Sequence, residues 1–258
     1  MDEIKILVTG GNGYIAKSLN SFLNKKYEII LVTRNDFDLS DYKQTCNWFK
    51  NKKIDVVIHT AICGGSRLQH DDESVFNKNI SMFDNLVANK HCFSKLISFG
   101  SGAEIFHGNT PYANSKREIA SKIQDLDNFY NLRIFATFDE NELDTRFIKA
   151  NLLHYIQKEP IIIHNNKQMD FFYMKDLISL VEYYIQNSNL PKTVDCSYKE
   201  KHTLIDIANY INTLSDYKVP IIVEDSNKFE HYCGTHHGLP INEIGLFEGI
   251  NQTAKKLI

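Results

Sequence analysis

Lys5-Ile6-Leu7-Val8-Thr9-Gly10-Gly11-Asn12-Gly13-Tyr14-Ile15-Ala16 decides how this chain folds. Ile6, Leu7 and Val8 form a short apolar run of the kind a strand needs when it is buried on both faces. Glycines follow at once, and beyond them Ile15, Leu19, Phe22 and Leu23 recur at helical spacing. In a strand, tight turn and helix, Gly10 permits the sharp turn and Gly13 leaves room for a phosphate to approach the backbone. Ala16 lets the helix lie close on the strand. The first turn of such a helix offers unpaired N–H groups and the positive end of its dipole. The stretch, including Tyr14 and Ile15, is expected to hold a dinucleotide pyrophosphate. A plain Gly-rich loop is the alternative, and the clean strand in front of the glycines argues against it.

Outward from this unit the alternation continues. Residues 28–33, 56–61, 95–99 and 132–135 read as strands, with helices at 41–50, 74–89 and 112–125. That order predicts an α/β fold: a Rossmann-type, doubly wound parallel sheet covered by helices on both faces. Ligands of such sheets bind at the carboxyl ends of the strands, where Gly10, Arg34, Ala61, Ser101 and Ile134 converge. The second half is less regular, with helices expected at 147–158, 176–186 and 203–215 and a short strand at 161–163. The expected organisation is a dinucleotide-binding domain over 1–139, with 171–197 returning to it. A small C-terminal substrate lobe would be built from 140–170 and 198–258.

A second stretch, Tyr112-Ala113-Asn114-Ser115-Lys116, carries proton chemistry. Tyr112 and Lys116 are four apart and share a helix face, and Pro111 suits the first turn. A free phenol, with a pKa of about 10, is a poor proton shuttle at neutral pH. A neighbouring ammonium stabilises the phenolate and lowers that value, so the phenol can give its proton to a carbonyl oxygen. Ser101, in Phe99-Gly100-Ser101-Gly102, can donate a hydrogen bond to the same oxygen. Tyr112, Lys116 and Ser101 are the expected catalytic residues, and Tyr112 and Lys116 are also expected to touch the cofactor.

Composition narrows the field. The 258 residues carry a net charge of −3, and no basic patch points to nucleic acid. No apolar run approaches a membrane span, and no secretory leader pattern is present. Five scattered cysteines without CxxC spacing favour free thiols in a reducing, cytoplasmic setting. His231, Cys233, His236 and His237 cluster, but their spacing fits no zinc pattern, so no metal is expected and the segment reads as a lobe loop.

These motifs resemble the extended short-chain dehydrogenase/reductase family, the nucleotide-sugar epimerases, dehydratases and reductases. Asp170-Phe171-Phe172-Tyr173-Met174-Lys175-Asp176 is similar to the family's Asp-Phe-(Ile/Val)-(Tyr/His)-Val-x-Asp segment. Arg133-Ile134-Phe135-Ala136-Thr137-Phe138 is similar to the segment near the nicotinamide, with Ala136 where an asparagine is usual. Asn79 matches a family asparagine near the active site. Within the family the likeness is to fucose-synthase-type 4-keto reductases, through Thr33-Arg34-Asn35-Asp36-Phe37-Asp38-Leu39-Ser40-Asp41 and Ala61-Ile62-Cys63-Gly64-Gly65. The resemblance implies cofactor contacts from Arg34, Asp38, Leu39, Ala61, Ile62, Cys63, Asn79, Ile134 and Ala136. It implies a homodimer through the helices at 74–89 and 112–125. Arg34 at the second strand's exit points to NADPH rather than NAD.

The departures from the family are as informative. Dehydratases place Asp-Glu directly after the catalytic hydroxyl residue, whereas here Gly102 and Ala103 follow Ser101 and Glu104 comes one position late. Fucose synthases epimerise with a cysteine where Ala103 stands and a histidine in the lobe, where 142–151 offers Arg146 and no histidine. Epimerisation of a carbon acid needs a base and an acid on opposite faces. The implied activity is therefore reduction of a C4 ketone on a nucleotide-activated (GDP-, dTDP- or CDP-) 6-deoxy sugar or heptose, with Ser101, Gly102, Ala103 and Arg146 toward the substrate. Arg146 stays open between a bidentate diphosphate contact and a surface ion pair with Asp144 or Glu142. Two other readings stand: an NAD-dependent 4-epimerase using the same three residues, and a non-catalytic NAD(P)-binding sensor, which would need only the glycine turn.

Overall fold

The computed structural model describes residues 3–65 and 70–258, with the side chains of 226–230 excepted. Two compact units divide the chain: Met1–Arg133 with Val181–Val194, and Ile134–Leu180 with Asp195–Ile258.

The first unit begins with β1 (Lys5–Thr9), α1 (Tyr14–Leu23), β2 (Glu28–Val32), α2 (Tyr42–Phe49) and β3 (Val56–His59). It continues through α3 (Glu73–Ala88), β4 (Lys95–Ser101), the one-turn α4 (Ala103–Phe106), α5 (Pro111–Gln124) and β5 (Phe129–Ile134). Ile6, Leu7, Val8, Val57 and Ile58 are completely buried, as the continuous apolar runs require of central strands. Each such side chain contributes about 1.5–3 kcal/mol on leaving water. The helices start where short polar side chains can cap them. Asp41 accepts from the Gln44 N–H for α2, Asp72 from Ser74 for α3, and Thr110 from Ala113 for α5, where Pro111 takes the first turn.

The strands assemble in the order β2-β1-β3-β4-β5-β9, where β9 is Thr193–Cys196. β1 pairs in parallel with both β2 and β3, and β3 with β4. The order reverses at β1, so a crevice opens beyond the carboxyl ends of β1 and β3, where doubly wound sheets bind ligands.

The second unit holds β6 (Thr137–Phe138), α6 (Phe147–Ile156), β7 (Ile161–Met169), β8 (Phe172–Tyr173) and most of α7 (Met174–Gln186). It is completed by α8 (Leu204–Ile211), β10 (Ile221–Tyr232) and α9 (Leu246–Leu257). The strand expected at 161–163 runs on to Met169, because β10 pairs with it in parallel from Ile221↔Ile161 to Tyr232↔Met169. The helix expected at 203–215 is held by a Thr203–Asp206 capping box but stops at Ile211. Among the described residues no helix is long and apolar enough to cross a membrane.

Candidate active site

The glycine turn sits where the strand order reverses. Gly10 has φ +68°, and a Cβ there would lie 2.8 Å from the Ala61 backbone, so both conformation and space exclude a side chain. The Gly11 N–H donates to Val32 O at 2.8 Å, and the Gly13 N–H to Gly10 O at 2.8 Å. Gly13 begins α1 and no side chain caps it. A helix start without a side-chain cap is the kind of place where an anion binds.

A cleft of about 340 Å³ runs from this turn across the strand ends. It collects Gly10, Gly13, Arg34, Asp38, Leu39, Ala61 and Ile62 of the expected cofactor residues. Tyr14, Ile15, Cys63, Asn79, Tyr112, Lys116, Ile134 and Ala136 are not among its lining residues. Phe37 and Met82 line it and were missed in the sequence. Their signal is weak, since a single apolar residue in a loop or on a helix face looks like core. Asp36 accepts from Thr33 N–H and Oγ1, and Asp38 from Ser40 N–H and Oγ, at 2.7–3.0 Å. Those hydrogen bonds hold both carboxyls below the usual aspartate range. The two acids are committed to their own turns, while Arg34 is exposed on the cleft. A dinucleotide fits these features: a pyrophosphate at α1, apolar walls from Leu39, Ile62 and Met82, and a cation at the rim.

Asn79 acts differently from a surface contact. It is buried, its Oδ1 accepts the Cys63 N–H, and its Nδ2 donates to Cys63 O and to Ser115 Oγ. Ser115 Oγ in turn donates to Tyr112 O at 2.7 Å. Asn79 thereby ties the segment after β3 to the first turn of α5. Gly65, at φ +74°, lies next to the Tyr112 ring, where a Cβ would come 2.7 Å from Cε2.

Lys116 is buried on the inner face of α5 and donates to Phe99 O at 2.6 Å. Its ammonium is 5.8 Å from the centre of the Tyr112 ring. Burial pulls its pKa down to about 8, against the opposing pull of the Glu104 carboxylate. Ser101 ends β4, and its Oγ accepts the Ala103 N–H at 3.1 Å. An oxygen that already accepts is left with its hydroxyl proton to donate.

His59 was not singled out in the sequence. It is buried at the end of β3, its Nδ1 2.9 Å from Thr9 Oγ1. Thr9 Oγ1 also accepts the Ala61 N–H, which ties the histidine to the segment after β3. Burial and the Lys116 charge push its pKa down to about 3, so it stays neutral. A histidine inside the apolar run Val56-Val57-Ile58 was the available signal.

In the second unit Ile134 and Ala136 flank Phe135 at the exit of β5, and the Phe172 N–H donates to Ala136 O. Arg146 is exposed at the start of α6. Asp144 pairs with Lys149 at 2.8 Å, and the Arg146 charge acts on Glu142. The acids of Asp170-Phe171-Phe172-Tyr173-Met174-Lys175-Asp176 are anchors. Asp170 takes Lys201 Nζ and the Gly234 N–H, and Asp176 takes Tyr198 Oη and the N–H groups of Ile244 and Gly245. The histidine-rich loop is fixed by Thr235 N–H to Asp195 and by His236 Nδ1 at Ser197 O. Among the described residues no group of three or more His, Cys, Asp or Glu could hold a metal ion.

Residues 6–196 match the model of the NAD dependent epimerase/dehydratase family. The fold is similar to that of a GDP-mannoheptose C4 reductase from Campylobacter jejuni with NADP bound, with TM-score 0.81 and 17% identity over 99% of this chain and 98% of that one. A GDP-L-fucose synthetase from Naegleria fowleri bound to NADP matches with TM-score 0.77 and 16% identity over 99% and 92%. A UDP-N-acetylglucosamine 4-epimerase from Bacillus cereus matches with TM-score 0.75 and 20% identity over 99% and 96%. Reductases and an epimerase thus share the architecture, and at these identities the likeness speaks for the fold. With three quarters of its length matched by the family model, the chain belongs to the NAD dependent epimerase/dehydratase family, as an NAD(P)-dependent enzyme with a Rossmann-type fold.

Proposed function

We propose that the protein is an NADPH-dependent reductase of a C4 ketone on a nucleotide-activated 6-deoxy sugar or heptose, without C3/C5 epimerase activity. The observation that carries this reading is the buried ammonium of Lys116, held one turn from Tyr112 by the Phe99 carbonyl of the strand that ends at Ser101, whose hydroxyl can donate. NADPH, when bound, supplies the hydride that reduces the carbonyl carbon. Tyr112 gives its phenolic proton to the carbonyl oxygen, so the ketone becomes an alcohol and the phenolate is left beside Lys116. The ammonium stabilises that phenolate, and Ser101 donates a hydrogen bond to the same oxygen. Arg34 is exposed on the cleft while the carboxylates of Asp36 and Asp38 are hydrogen-bonded within their own loops, an arrangement that favours a 2′-phosphate over a bare ribose.

The absence of epimerisation rests on the chemistry of 101–104. Gly102 and Ala103 carry no proton-transfer group, and the Glu104 carboxylate is occupied by Arg133 and by the Ser101 N–H. The second unit would serve as the substrate lobe, with Arg146 toward the diphosphate. A homodimer through α3 and α5 and a cytoplasmic location, favoured by five free cysteines, complete the proposal.

The test is NADPH oxidation by the purified protein against a panel of 4-keto nucleotide sugars, with Tyr112→Phe alongside. Loss of a general acid costs about 10²–10⁴ in rate. Turnover should fall by that much in Tyr112→Phe while NADPH binding, read by fluorescence, is unchanged. A Tyr112→Phe variant that turns over normally rejects the mechanism. Tightly bound NAD in the purified protein, with no consumption of free NADPH, selects the 4-epimerase.

A further inference from the structure

Glu104 stands one position later than the acids of the dehydratases, and the structure gives it a different task. It is buried, on the single turn of α4, with its carboxylate turned beneath the end of β4. The Ser101 N–H donates to Oε1 at 2.8 Å, Arg133 Nε donates to Oε2 at 2.8 Å, and Asn131 Nδ2 reaches both oxygens at 3.4–3.5 Å. No Cβ fits at Gly100, because Glu104 and the Asn131 amide fill that space. The glycine before Ser101 is therefore what lets the carboxylate lie under the strand. Arg117 secures the far side of the same segment, donating to the carbonyls of Glu104, His107 and Gly108 at 2.8–3.2 Å.

The groups coupled to Lys116 come from three elements. α4 brings the Glu104 carboxylate, β3 brings neutral His59, and β4 brings Phe99 O, with Tyr112 on its own helix. Among them Glu104 is the negative charge that opposes the effect of burial.

We propose that Glu104 is a positioning residue: clamped by Arg133 and Asn131, its carboxylate fixes the backbone of Ser101 and places a negative charge at the end of β4, where Phe99 O holds the Lys116 ammonium. One carboxylate thereby couples the hydrogen-bond donor of the proposed site to the cation that sustains its proton donor. The proposal rests on Ser101 and Lys116 being working groups of the proposed reaction. It also gives an acid so near the site a structural task, since its carboxylate is held by Arg133 Nε, the Ser101 N–H and the Asn131 amide.

The test is a pH titration of protein labelled with [ε-¹³C]lysine, followed by NMR without substrate or cofactor. One lysine resonance should titrate near pH 8 in the wild type and be missing from Lys116→Met, which assigns it. In Glu104→Gln the same resonance should titrate at lower pH. Because that variant takes the carboxylate from the half-buried Arg133, Glu104→Gln/Arg133→Gln, which replaces the pair by two neutral amides, is measured in parallel and should shift the same way. Glu104→Asp, which restores the charge, should return the titration toward the wild-type value, a rescue that a purely structural role would not produce. In turnover assays the alkaline limb of kcat should move down in pH with the resonance. A Lys116 resonance that keeps its wild-type titration in a folded variant lacking the carboxylate overturns the proposal. Normal turnover by Tyr112→Phe overturns the reaction reading instead and leaves the titration result standing.

Discussion

Lys116→Met should make the protein more stable and inactive at once. Folding moves the Lys116 ammonium out of water, and its pKa drops from 10.5 to about 8. That gap corresponds to about 3 kcal/mol of folding free energy withheld at pH 7. Methionine fills a similar volume without the charge. It leaves Phe99 O without its donor, a loss of about 1 kcal/mol. The net gain is about 2 kcal/mol at pH 7, or a rise in Tm of about 4–8 °C for a chain of this size. The pH dependence carries the stronger test. Below about pH 8 the wild type bears the full penalty. As pH rises toward 10.5 the folded lysine has lost its proton while the unfolded chain still binds one, so wild-type stability climbs. The advantage of the variant should therefore shrink by about 2 kcal/mol between pH 7 and pH 9.5. Urea unfolding at the two pH values, followed by Trp48 fluorescence, measures both quantities. A variant less stable than the wild type at pH 7, or a difference that is the same at both pH values, refutes the argument that a costly buried charge is kept for chemistry.

Three other outcomes are expected. Arg34→Ala should weaken NADPH by about 10–100-fold, the worth of charge-assisted hydrogen bonds to a phosphate, and leave NADH unchanged; equal losses in a fluorescence titration would remove Arg34 from the phosphate. Lys95→Met should cost about 2–4 kcal/mol by denaturant titration, since the buried Lys95 Nζ donates to the carbonyls of Tyr184, Ile185 and Asn187 at the end of α7 and all three would lose it. Glu142→Gln should stabilise the protein by roughly 2–4 kcal/mol at pH 9 and little at pH 5. Burial pushes the Glu142 pKa from 4.5 up to about 8, so the folded state holds a proton that the unfolded chain has released, and wild-type stability falls as pH rises through that range. A flat difference across that range would place Glu142 in a wetter setting.

The sequence by itself determined the first unit. Runs such as Lys5–Thr9 and Val56–His59 can be stable only as buried strands, and glycines at 10, 11 and 13 between a strand and a helix admit few other conformations. Spacing of four placed Tyr112 and Lys116 on one face, because that is a property of any helix. These are local constraints, and local constraints are written in consecutive residues. Tertiary structure decided what depends on residues far apart in the chain. β10 could not be read at 221–232, where Glu224, Asp225, Ser226, Asn227 and Lys228 hide any alternation, since pairing with β7 creates the strand. Asn79 resembled a surface helix residue, and only the meeting of α3 with α5 and with the segment after β3 turned its amide inward. Glu104 read as an acid out of place, but the side chain of Arg133, brought beside it by β5, bound its carboxylate. The depressed pKa values of Lys116 and His59 have the same origin, because desolvation is set by what the fold closes over a group and not by its neighbours in sequence.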